Sequence, residues 1–228
     1  PYQQRLIDEI QAWATAAEPY PLVLSLPPGH GKSEYAKLAV AWLAVRDPSA
    51  RHAYASYGSD LAEGHLADLC SVLEGDEVRG LYGQIIPAKG SAGRTLQEVT
   101  VGGDVGGLVK AVGVDGPLTG YRIDTVIGDD LIKGDTQAQS HTVRETAWRW
   151  LTRTALTRKR AGRPLRLLVI ATRWHLDDPT SRVLAQLPRA KEVRFSALKV
   201  GEPTPDDPRE EGEALWPDTA PLNFLLEY

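Results

Sequence analysis

A short glycine-rich segment, Pro27–Ser33 (Pro-Pro-Gly-His-Gly-Lys-Ser), has the residue types that bind the phosphate groups of a nucleotide. Glycine tolerates the positive φ angles that turn backbone N–H groups towards an anion. Lys32 can then reach the β- and γ-phosphate oxygens, and the hydroxyl of Ser33 can ligate Mg²⁺. A complete phosphate-binding loop begins with glycine at the position of Leu26, so a glycine-rich turn with an exposed lysine is the structural alternative. The residues that we expect to contact a nucleotide here are Pro28, Gly29, His30, Gly31, Lys32, Ser33 and Glu34.

Two adjacent carboxylates, Asp129 and Asp130, follow the apolar run 125–128. In a parallel α/β sheet, the carboxyl ends of the strands form the crevice that binds ligands. In phosphate-loop enzymes the first acid holds the Mg²⁺ shell, and the second can polarise the attacking water. We therefore predict that Asp129 binds metal together with Ser33, and that Asp130 is catalytic. In the structural alternative, the acid pair only ends a strand and begins a turn.

The most apolar run, 165–172, is also followed by polar residues, namely Thr172, Arg173 and His175. A threonine hydroxyl or an arginine at this strand end would lie beside the γ-phosphate and could report hydrolysis to the rest of the molecule. For His175, a hydrogen-bonded position at the strand end is favoured over a catalytic or ligand-binding role.

Along the chain, apolar runs alternate with helical patterns. This alternation predicts βαβ units and a mainly parallel sheet, which would position the residues named above. The predicted strands are 22–26, 52–57, 123–128, 165–172 and 192–198. The predicted helices are 3–17, 32–46, 59–73, 141–160 and 178–187. The glycine-rich segment 90–121 is predicted to be an inserted hairpin with strands at 95–101 and 107–112.

The composition fits one α/β domain with a substantial core, since the chain has 228 residues of which 42% are hydrophobic. We predict a phosphate-loop domain over 1–200 and an acidic, proline-rich linker over 201–228. The sequence has no long apolar segment and no signal peptide, so neither a membrane span nor secretion is supported. Cys70 is the single cysteine and is interpreted as a small core residue. The chain contains no methionine and ends in the apolar segment 223–228, which resembles the start of a helix, so we expect it to be part of a longer protein.

The formal net charge of −4 argues against a general polyanion binder, but the charge is unevenly distributed. The segment 144–166 is strongly basic and has Glu145 as its one acid, whereas 202–213 is acidic. Such a basic helix and loop could contact a nucleic-acid backbone, and a solvated helix face is the alternative. The basic residues are Arg144, Arg149, Arg153, Arg158, Lys159, Arg160, Arg163 and Arg166.

In their order and spacing, these motifs resemble the ATPase domain of the large terminases of tailed phages. The similarity lies in the loop Pro27–Ser33, in 118–130 (Leu-Thr-Gly-Tyr-Arg-Ile-Asp running into Ile-Gly-Asp-Asp) and in 172–178 (Thr-Arg-Trp-His followed by Asp-Asp). It extends from Gln3 to about Leu198, which is nearly the whole chain.

The resemblance implies a P-loop NTPase fold of the additional-strand-catalytic-glutamate type. It further implies an enzyme that hydrolyses ATP with Mg²⁺ and drives double-stranded DNA into a procapsid. The implied partners are the portal protein, a small terminase subunit and further copies of the chain in a ring, all in the host cytoplasm without a membrane. Family members normally continue into a nuclease domain, which we expect to lie outside this chain.

Several residue roles follow from the resemblance alone. A glutamine near the N-terminus recognises adenine in this family, and Tyr2, Gln3 and Arg5 are the matching candidates. Thr172 matches the motif that couples hydrolysis to motion. The family's second acid is usually glutamate, so Asp130 is one methylene shorter and would need a small loop shift to reach the water.

The phosphate loop also lacks the arginine that many relatives carry there, so an arginine finger must come from elsewhere, for example from a neighbouring subunit. Arg122 and Arg173 are the candidates by position, and a structural ion pair is the alternative for each. Two other functions stay open, namely a nucleic-acid helicase or remodelling ATPase, and a nucleotide-binding docking module without turnover.

Overall fold

In the described part of the chain, seven strands form one sheet at the centre of the fold. A computed structural model describes residues 2–83, 96–101 and 104–221. The strands are β1 (Leu22–Ser25), β2 (Arg51–Ser56), β3 (Leu96–Val101), β4 (Asp104–Gly113), β5 (Thr125–Asp129), β6 (Arg166–Ala171) and β7 (Lys191–Arg194). They are ordered β3-β4-β2-β5-β6-β1-β7, and every neighbouring pair is parallel except β3 with β4. The prediction of an α/β fold with a mainly parallel sheet is confirmed.

Helices connect these strands and pack on both faces of the sheet. They are α1 (Tyr2–Thr15), α2 (Lys32–Arg46), α3 (Ser59–Glu74), α4 (Asp76–Tyr82), α5 (Gly134–Ala138), α6 (His141–Arg149) and α7 (Pro179–Gln186). Helices α1, α2 and α3 cover a core cluster on one face, and a π-helical segment after α6 packs with α7 in a cluster on the other. None of the helices in the described part of the chain is long and apolar enough to cross a membrane.

The strand order brings three predicted motifs to one edge of the sheet. Strand β6 lies between β1 and β5, and all three strands run in the same direction. The segments that follow them, Leu26–Ser33, Asp130 and Thr172, therefore lie side by side at the carboxyl edge. The additional strand between the loop strand and the acid-bearing strand is the arrangement implied by the sequence resemblance.

Helix α1 runs along the sheet because one of its faces is apolar. Its buried side chains, Tyr2, Leu6, Ile10 and Trp13, recur at helical spacing. At its C-terminal end, Arg166 at the start of β6 donates hydrogen bonds to the carbonyls of Trp13 (2.9 Å) and Ala16 (2.7 Å). Helix α1 is therefore anchored by packing along its length and by a guanidinium at its end.

The predicted hairpin is part of the main sheet and not an appendage. Strands β3 and β4 are antiparallel, as expected, but β4 also pairs in parallel with β2 along its second half, from Leu108 to Gly113. The chain approaches closely there, because a Cβ at Gly107 would lie 2.0 Å from the carbonyl oxygen of Ala50. Residues 84–95, 102 and 103, several of which belong to the predicted hairpin segment, lie outside the described residues.

The predicted helix 141–160 does not continue as one α-helix. Helix α6 is followed by the π-helical segment Trp150–Ala155 and a 3₁₀ turn, Leu156–Arg158. The indole Nε1 of Trp150 donates to the carbonyl of Gly116 at 3.0 Å, so the π-helical segment is tied to the loop after β4. Tertiary packing thus overrides the local helical pattern.

The described part of the predicted linker 201–228 folds back onto the sheet edge beyond β7. The backbone N–H of Leu215 donates to the carbonyl of Ala197 at 2.8 Å, and Leu215 is buried in the core. Trp216 packs against the same cluster. Residues 222–228, where the sequence resembles the start of a helix, lie outside the described residues.

Candidate nucleotide-binding site

The loop Pro27–Ser33 connects β1 to α2 and has the backbone conformation that its glycines were predicted to allow. Gly29 has a φ of 74° and Gly31 a φ of 76°. Gly31 is the residue that caps the N-terminus of α2, so the loop leads directly into the positive end of that helix dipole. A loop of this shape presents backbone N–H groups and a helix N-terminus to an anion.

The ammonium group of Lys32 lies in the interior of this loop. Only 7% of the residue is exposed, and Nζ donates to the carbonyl of Pro27 at 3.1 Å. Nζ also lies 4.0 Å from Oδ2 of Asp130. Burial lowers the pKa of Lys32, and the charge of Asp130 partly offsets that effect. Lys32 is thus a desolvated cation whose nearest charged partner is the second acid, so it is poised to interact strongly with phosphate.

The first acid, Asp129, is held by two side chains that the sequence analysis did not identify. Its Oδ2 accepts a hydrogen bond from the hydroxyl of Tyr54 at 2.6 Å and lies 3.3 Å from Nδ1 of His65. Its Oδ1 is buried and has no hydrogen-bond partner among the described residues. Tyr54 lies on β2 and His65 on α3, and no local pattern in either segment relates them to Asp129.

The residues at this position fit a Mg²⁺ ion held with a nucleotide. A buried carboxylate oxygen without a partner is the donor that a hard cation or one of its water ligands requires. In the described part of the chain, no three His, Cys, Asp or Glu side chains form a metal cage. Mg²⁺ usually keeps few protein ligands, so Ser33 and Asp129 would hold such a cation together with the phosphates.

The second acid, Asp130, has a strained backbone that is fixed on both sides. Its φ is 44°, its N–H donates to the carbonyl of Ile170 at 3.0 Å, and its carbonyl accepts from the N–H of Tyr57 at 3.1 Å. Its Oδ1 accepts from the backbone N–H of Thr172 at 3.0 Å. Burial raises the pKa of Asp130, while Lys32 and the hydrogen bond from Thr172 act in the opposite direction. A non-glycine residue is kept in this conformation only where its surroundings impose it, which is typical of functional sites.

Thr172 links Asp130 to Leu26, the residue that precedes the phosphate loop. Besides its backbone hydrogen bond to Asp130, its hydroxyl donates to the carbonyl of Leu26 at 3.1 Å. The end of β6 thereby contacts both the residue that precedes the loop and the acid that follows β5.

Of the three residues expected to contact adenine, Tyr2 is the one that approaches the loop in the described contacts. Tyr2 is buried, with its ring centroid 6.3 Å from that of His30. Gln3 follows it and is half-buried. Arg5 instead donates to the carbonyl of Asp206 at 2.7 Å and lies 5.3 Å from the ring of Phe195.

His30 is buried in the loop as a neutral ring. Its Nδ1 donates to the carbonyl of Pro28 at 2.8 Å, and burial lowers its pKa. Its Nε2 is buried without a partner among the described residues. The side chain of Glu34, in contrast, is exposed and pairs with Lys37 at 2.8 Å, so its expected contact with the nucleotide would require that ion pair to open.

The two candidate arginine fingers are placed differently from the sequence-based expectation. Arg122 is exposed and precedes β5, at the amino edge of the sheet. The length of β5, about 13 Å for its five residues, separates Arg122 from the carboxyl edge where the loop lies. Arg122 therefore does not reach the loop of its own chain, and a role as a finger would require a neighbouring subunit.

Arg173 lies at the correct edge but is engaged in structural contacts. Its guanidinium binds Oδ2 of Asp178 at 3.1 Å and Oε1 of Glu192 at 2.7 Å, and it also donates to Ser181. Arg173 therefore forms the structural ion pairs that were the alternative to a role as an arginine finger. His175 accepts a hydrogen bond at Nδ1 from the N–H of Asp177 at 2.9 Å, in agreement with the hydrogen-bonded role that the sequence favoured.

A cleft beside the loop is open at the carboxyl ends of β1, β6 and β7. Its volume is about 220 Å³, and it is lined by 25–27, Thr172, Arg173 and 194–197. Because this cleft adjoins the phosphate loop, ligand atoms beyond the phosphates have space there.

Solved structures with low sequence identity to this chain have a similar fold. The large terminase of a thermophilic bacteriophage in complex with ADP superposes with a TM-score of 0.56 at 11% identity, over 84% of this chain and 45% of that one. The same terminase in a second crystal form gives a TM-score of 0.54 at 10% identity, over 85% and 45% of the two chains. Its complex with ATP-γ-S also gives 0.54 at 10% identity, over 84% and 44%. No protein-family model matches the sequence, and no curated protein is significantly similar to it.

The chain spans less than half of the length of the terminase structures that it matches. At this level of identity the likeness concerns the fold. Over most of its length, this chain has the P-loop NTPase fold that is seen in the large terminase of that thermophilic bacteriophage.

Proposed function

We propose that this chain is the Mg²⁺-dependent ATPase motor of a large terminase, which hydrolyses ATP to move double-stranded DNA into a procapsid. The observation that carries the proposal is the convergence of Lys32 and Asp130, whose charged groups lie 4.0 Å apart at the carboxyl edge of the sheet. Asp129 lies beside them with one buried oxygen free among the described residues. A cation, a metal-binding acid and a second acid are the groups that phosphoryl transfer to water requires.

In this mechanism the loop Pro27–Ser33 binds the phosphates through backbone N–H groups, and Lys32 leaves Asp130 to contact the β- and γ-phosphate oxygens. Ser33 and Asp129 would hold Mg²⁺, which when bound offsets the negative charge of the phosphates. Release of Lys32 leaves Oδ2 of Asp130 available to accept a proton from water, while Oδ1 stays bound to the N–H of Thr172. The hydrogen bonds of Thr172 to Leu26 and Asp130 would then connect hydrolysis to the movement of β6.

The test of the ATPase proposal compares wild-type protein with Asp130→Asn in ATP hydrolysis and in binding of a fluorescent ATP analogue. We expect Asp130→Asn to keep the affinity for the analogue and to lose about a hundredfold or more in turnover, since a positioned general base contributes about 10²–10⁴-fold. Asp135→Asn, in the short helix α5, removes an exposed carboxylate outside the site and serves as the control. Binding without hydrolysis by the wild-type protein, even when it is assembled into rings, would instead support a docking module.

The DNA part of the proposal concerns the basic segment 144–166. Only some of its basic side chains are available to contact DNA. Four of its arginines, Arg144, Arg160, Arg163 and Arg166, are engaged with carboxylates, a hydroxyl or backbone carbonyls of the protein itself. Arg149 and Arg153 are exposed, one helical turn apart, and both line a groove of about 220 Å³ beside the π-helical segment. We infer that these two arginines contact the phosphate backbone, since phosphate contacts bind a duplex independently of its sequence.

The DNA contact is tested by titrating salt against duplex binding by the variant Arg149→Gln/Arg153→Gln. Each phosphate contact contributes about 0.9 to the slope of log K against log salt concentration, so we expect the slope to fall by about two. The control variant Arg46→Gln/Arg79→Gln removes the same charge from exposed sites on α2 and α4, which pack on the opposite face of the sheet. An equal change in both variants would identify a general charge effect and contradict a specific contact. Double-stranded DNA, the portal protein and the small terminase subunit are the partners included in this proposal.

A further inference from the structure

Three side chains from separate elements, two of them buried and one half-buried, form a hydrogen-bonded group that includes the metal-binding acid. Tyr54 lies on β2, His65 on α3 and Asp129 at the end of β5. Strand β2 pairs in parallel with β5, and in that register Tyr54 is opposite Ile127 while Ser56 is opposite Asp129. The phenol of Tyr54 thus extends from the neighbouring strand towards the carboxylate.

The direction of each hydrogen bond follows from the chemistry of the groups. A tyrosine phenol is protonated at neutral pH and a carboxylate can only accept, so the phenol of Tyr54 donates to Asp129. The carboxylate Oδ2 of Asp129 accepts this hydrogen bond at 2.6 Å. The phenol oxygen in turn accepts from Nδ1–H of His65 at 3.0 Å, with the ring of His65 edge-on to that of Tyr54. The order of donation is therefore His65 to Tyr54 to Asp129.

This order leaves the two oxygens of Asp129 in different states. Oδ2 accepts from Tyr54 and lies 3.3 Å from Nδ1 of His65, whereas Oδ1 is buried and has no hydrogen-bond partner among the described residues. Rotation of the carboxylate would break the bond from Tyr54, whose side chain is buried in the core. The carboxylate is therefore fixed in the plane that keeps Oδ1 available.

We propose that Tyr54 and His65 are positioning residues that hold Asp129 by Oδ2, so that Oδ1 is the oxygen presented to Mg²⁺ or to one of its water ligands. The inference rests on the proposed function, because it assigns a role to these residues in the binding of Mg²⁺ with the nucleotide. Groups that orient a metal ligand typically change metal affinity by about 10–100-fold when they are removed.

The experiment measures the affinity for a fluorescent ADP analogue with excess Mg²⁺ and with EDTA, and the ratio of the two affinities is the readout. In Tyr54→Phe we expect this ratio to fall about tenfold or more while the affinity in EDTA changes by less than about twofold. Tyr121→Phe removes a hydroxyl from a half-buried tyrosine near the amino end of β5 and is the matched control. A purely structural role for the Tyr54 hydroxyl would weaken both affinities equally.

A second pair of variants keeps the test decisive even if Tyr54→Phe is unstable. His65→Leu removes the donor, and His65→Asn returns an N–H donor close to the position of Nδ1. We expect the Mg²⁺-dependent ratio to fall in His65→Leu and to recover, at least in part, in His65→Asn.

The outcomes separate this inference from the proposed function. If the ratio for Tyr54→Phe and His65→Leu equals that of the wild-type protein, the positioning role is wrong and the ATPase proposal is unaffected. If the wild-type protein binds the analogue equally well with Mg²⁺ and with EDTA, both proposals are overturned.

Discussion

The ammonium group of Lys32 lies 4.0 Å from Oδ2 of Asp130, so the cation of the phosphate loop and the second acid of the site offset each other's charge. Burial alone would disfavour both charges, since it lowers the pKa of the lysine and raises that of the acid. Their pairing favours the charged form of both groups in a desolvated position. Binding of a phosphate would replace one partner of the pair and release the other.

Substitution of Lys32 by alanine is expected to weaken nucleotide binding by about ten- to a hundredfold. The physical reason is the loss of charge-assisted hydrogen bonds to phosphate, each of which contributes about 1.5–3 kcal/mol. Isothermal titration with ATP-γ-S measures this loss. Lys191→Ala, which removes a half-exposed lysine paired with Glu9, is expected to bind normally. Unchanged affinity in Lys32→Ala would contradict the assignment of the loop.

Substitution of Gly31 by alanine is expected to destabilise the protein by about 1–2 kcal/mol and to weaken nucleotide binding. The φ of 76° places this residue in the left-handed region, which costs an L-residue about that amount. Denaturant unfolding measures the free energy. Gly64→Ala serves as the control, since a Cβ there meets nothing within 4 Å and α3 should gain stability from alanine.

The stability of the protein is expected to decrease as the pH falls from about 6.5 towards 4. Burial lowers the pKa of His52 to about 4, and both ring nitrogens of this residue are buried without partners among the described residues. Between these pH values the unfolded chain binds a proton at His52 that the folded protein does not bind, so stability rises with pH across this window. A shift of this size corresponds to roughly 3 kcal/mol at most.

The contribution of His52 is isolated by comparing urea unfolding at two pH values, about 4.5 and about 7, in the wild-type protein and in His52→Leu. The variant is expected to lose a large part of the difference between the two pH values. His141→Gln, which changes an exposed histidine at the start of α6, should retain that difference. The role assigned to His52 is refuted if the wild-type protein and His52→Leu show the same pH dependence.

Removal of the Thr172 hydroxyl is expected to separate ATP binding from turnover. In Thr172→Val the backbone hydrogen bond to Asp130 can persist, while the hydrogen bond to the carbonyl of Leu26 is lost. We expect ATP affinity within about threefold of the wild-type value and a turnover that is reduced about tenfold, since one neutral hydrogen bond contributes about 0.5–1.5 kcal/mol. Steady-state kinetics and analogue binding measure the two quantities. Thr15→Val removes an exposed hydroxyl that bonds within α1 and is the control.

The sequence predicted the parts of the site that depend on short segments. The loop Pro27–Ser33 and the acids that follow the apolar run of β5 could be identified because each comes directly after a buried strand. Helix α2 was predicted over 32–46 and is observed over those residues. The fold class followed from the alternation of strands and helices.

The parts that the sequence did not predict depend on long-range contacts. The contact of Tyr54 and His65 with Asp129 requires knowledge of the register between β2 and β5, to which no local pattern refers. The parallel pairing of β4 with β2 was not predicted for the same reason, since it also depends on the register between distant segments. An ion pair was the open alternative for Arg173, but its partner Glu192 could not be identified from the sequence, because Glu192 lies on β7, across β1 from the strand that precedes Arg173.

Helix α1 contacts residues at both edges of the sheet. Its first residue, Tyr2, packs near His30 in the phosphate loop, and the carbonyls at its other end are bound by Arg166 at the amino edge of β6. Fourteen residues of helix correspond to a rod of about 21 Å. The phosphate loop and the start of β6, on opposite edges of the sheet, are therefore both in contact with a single helix.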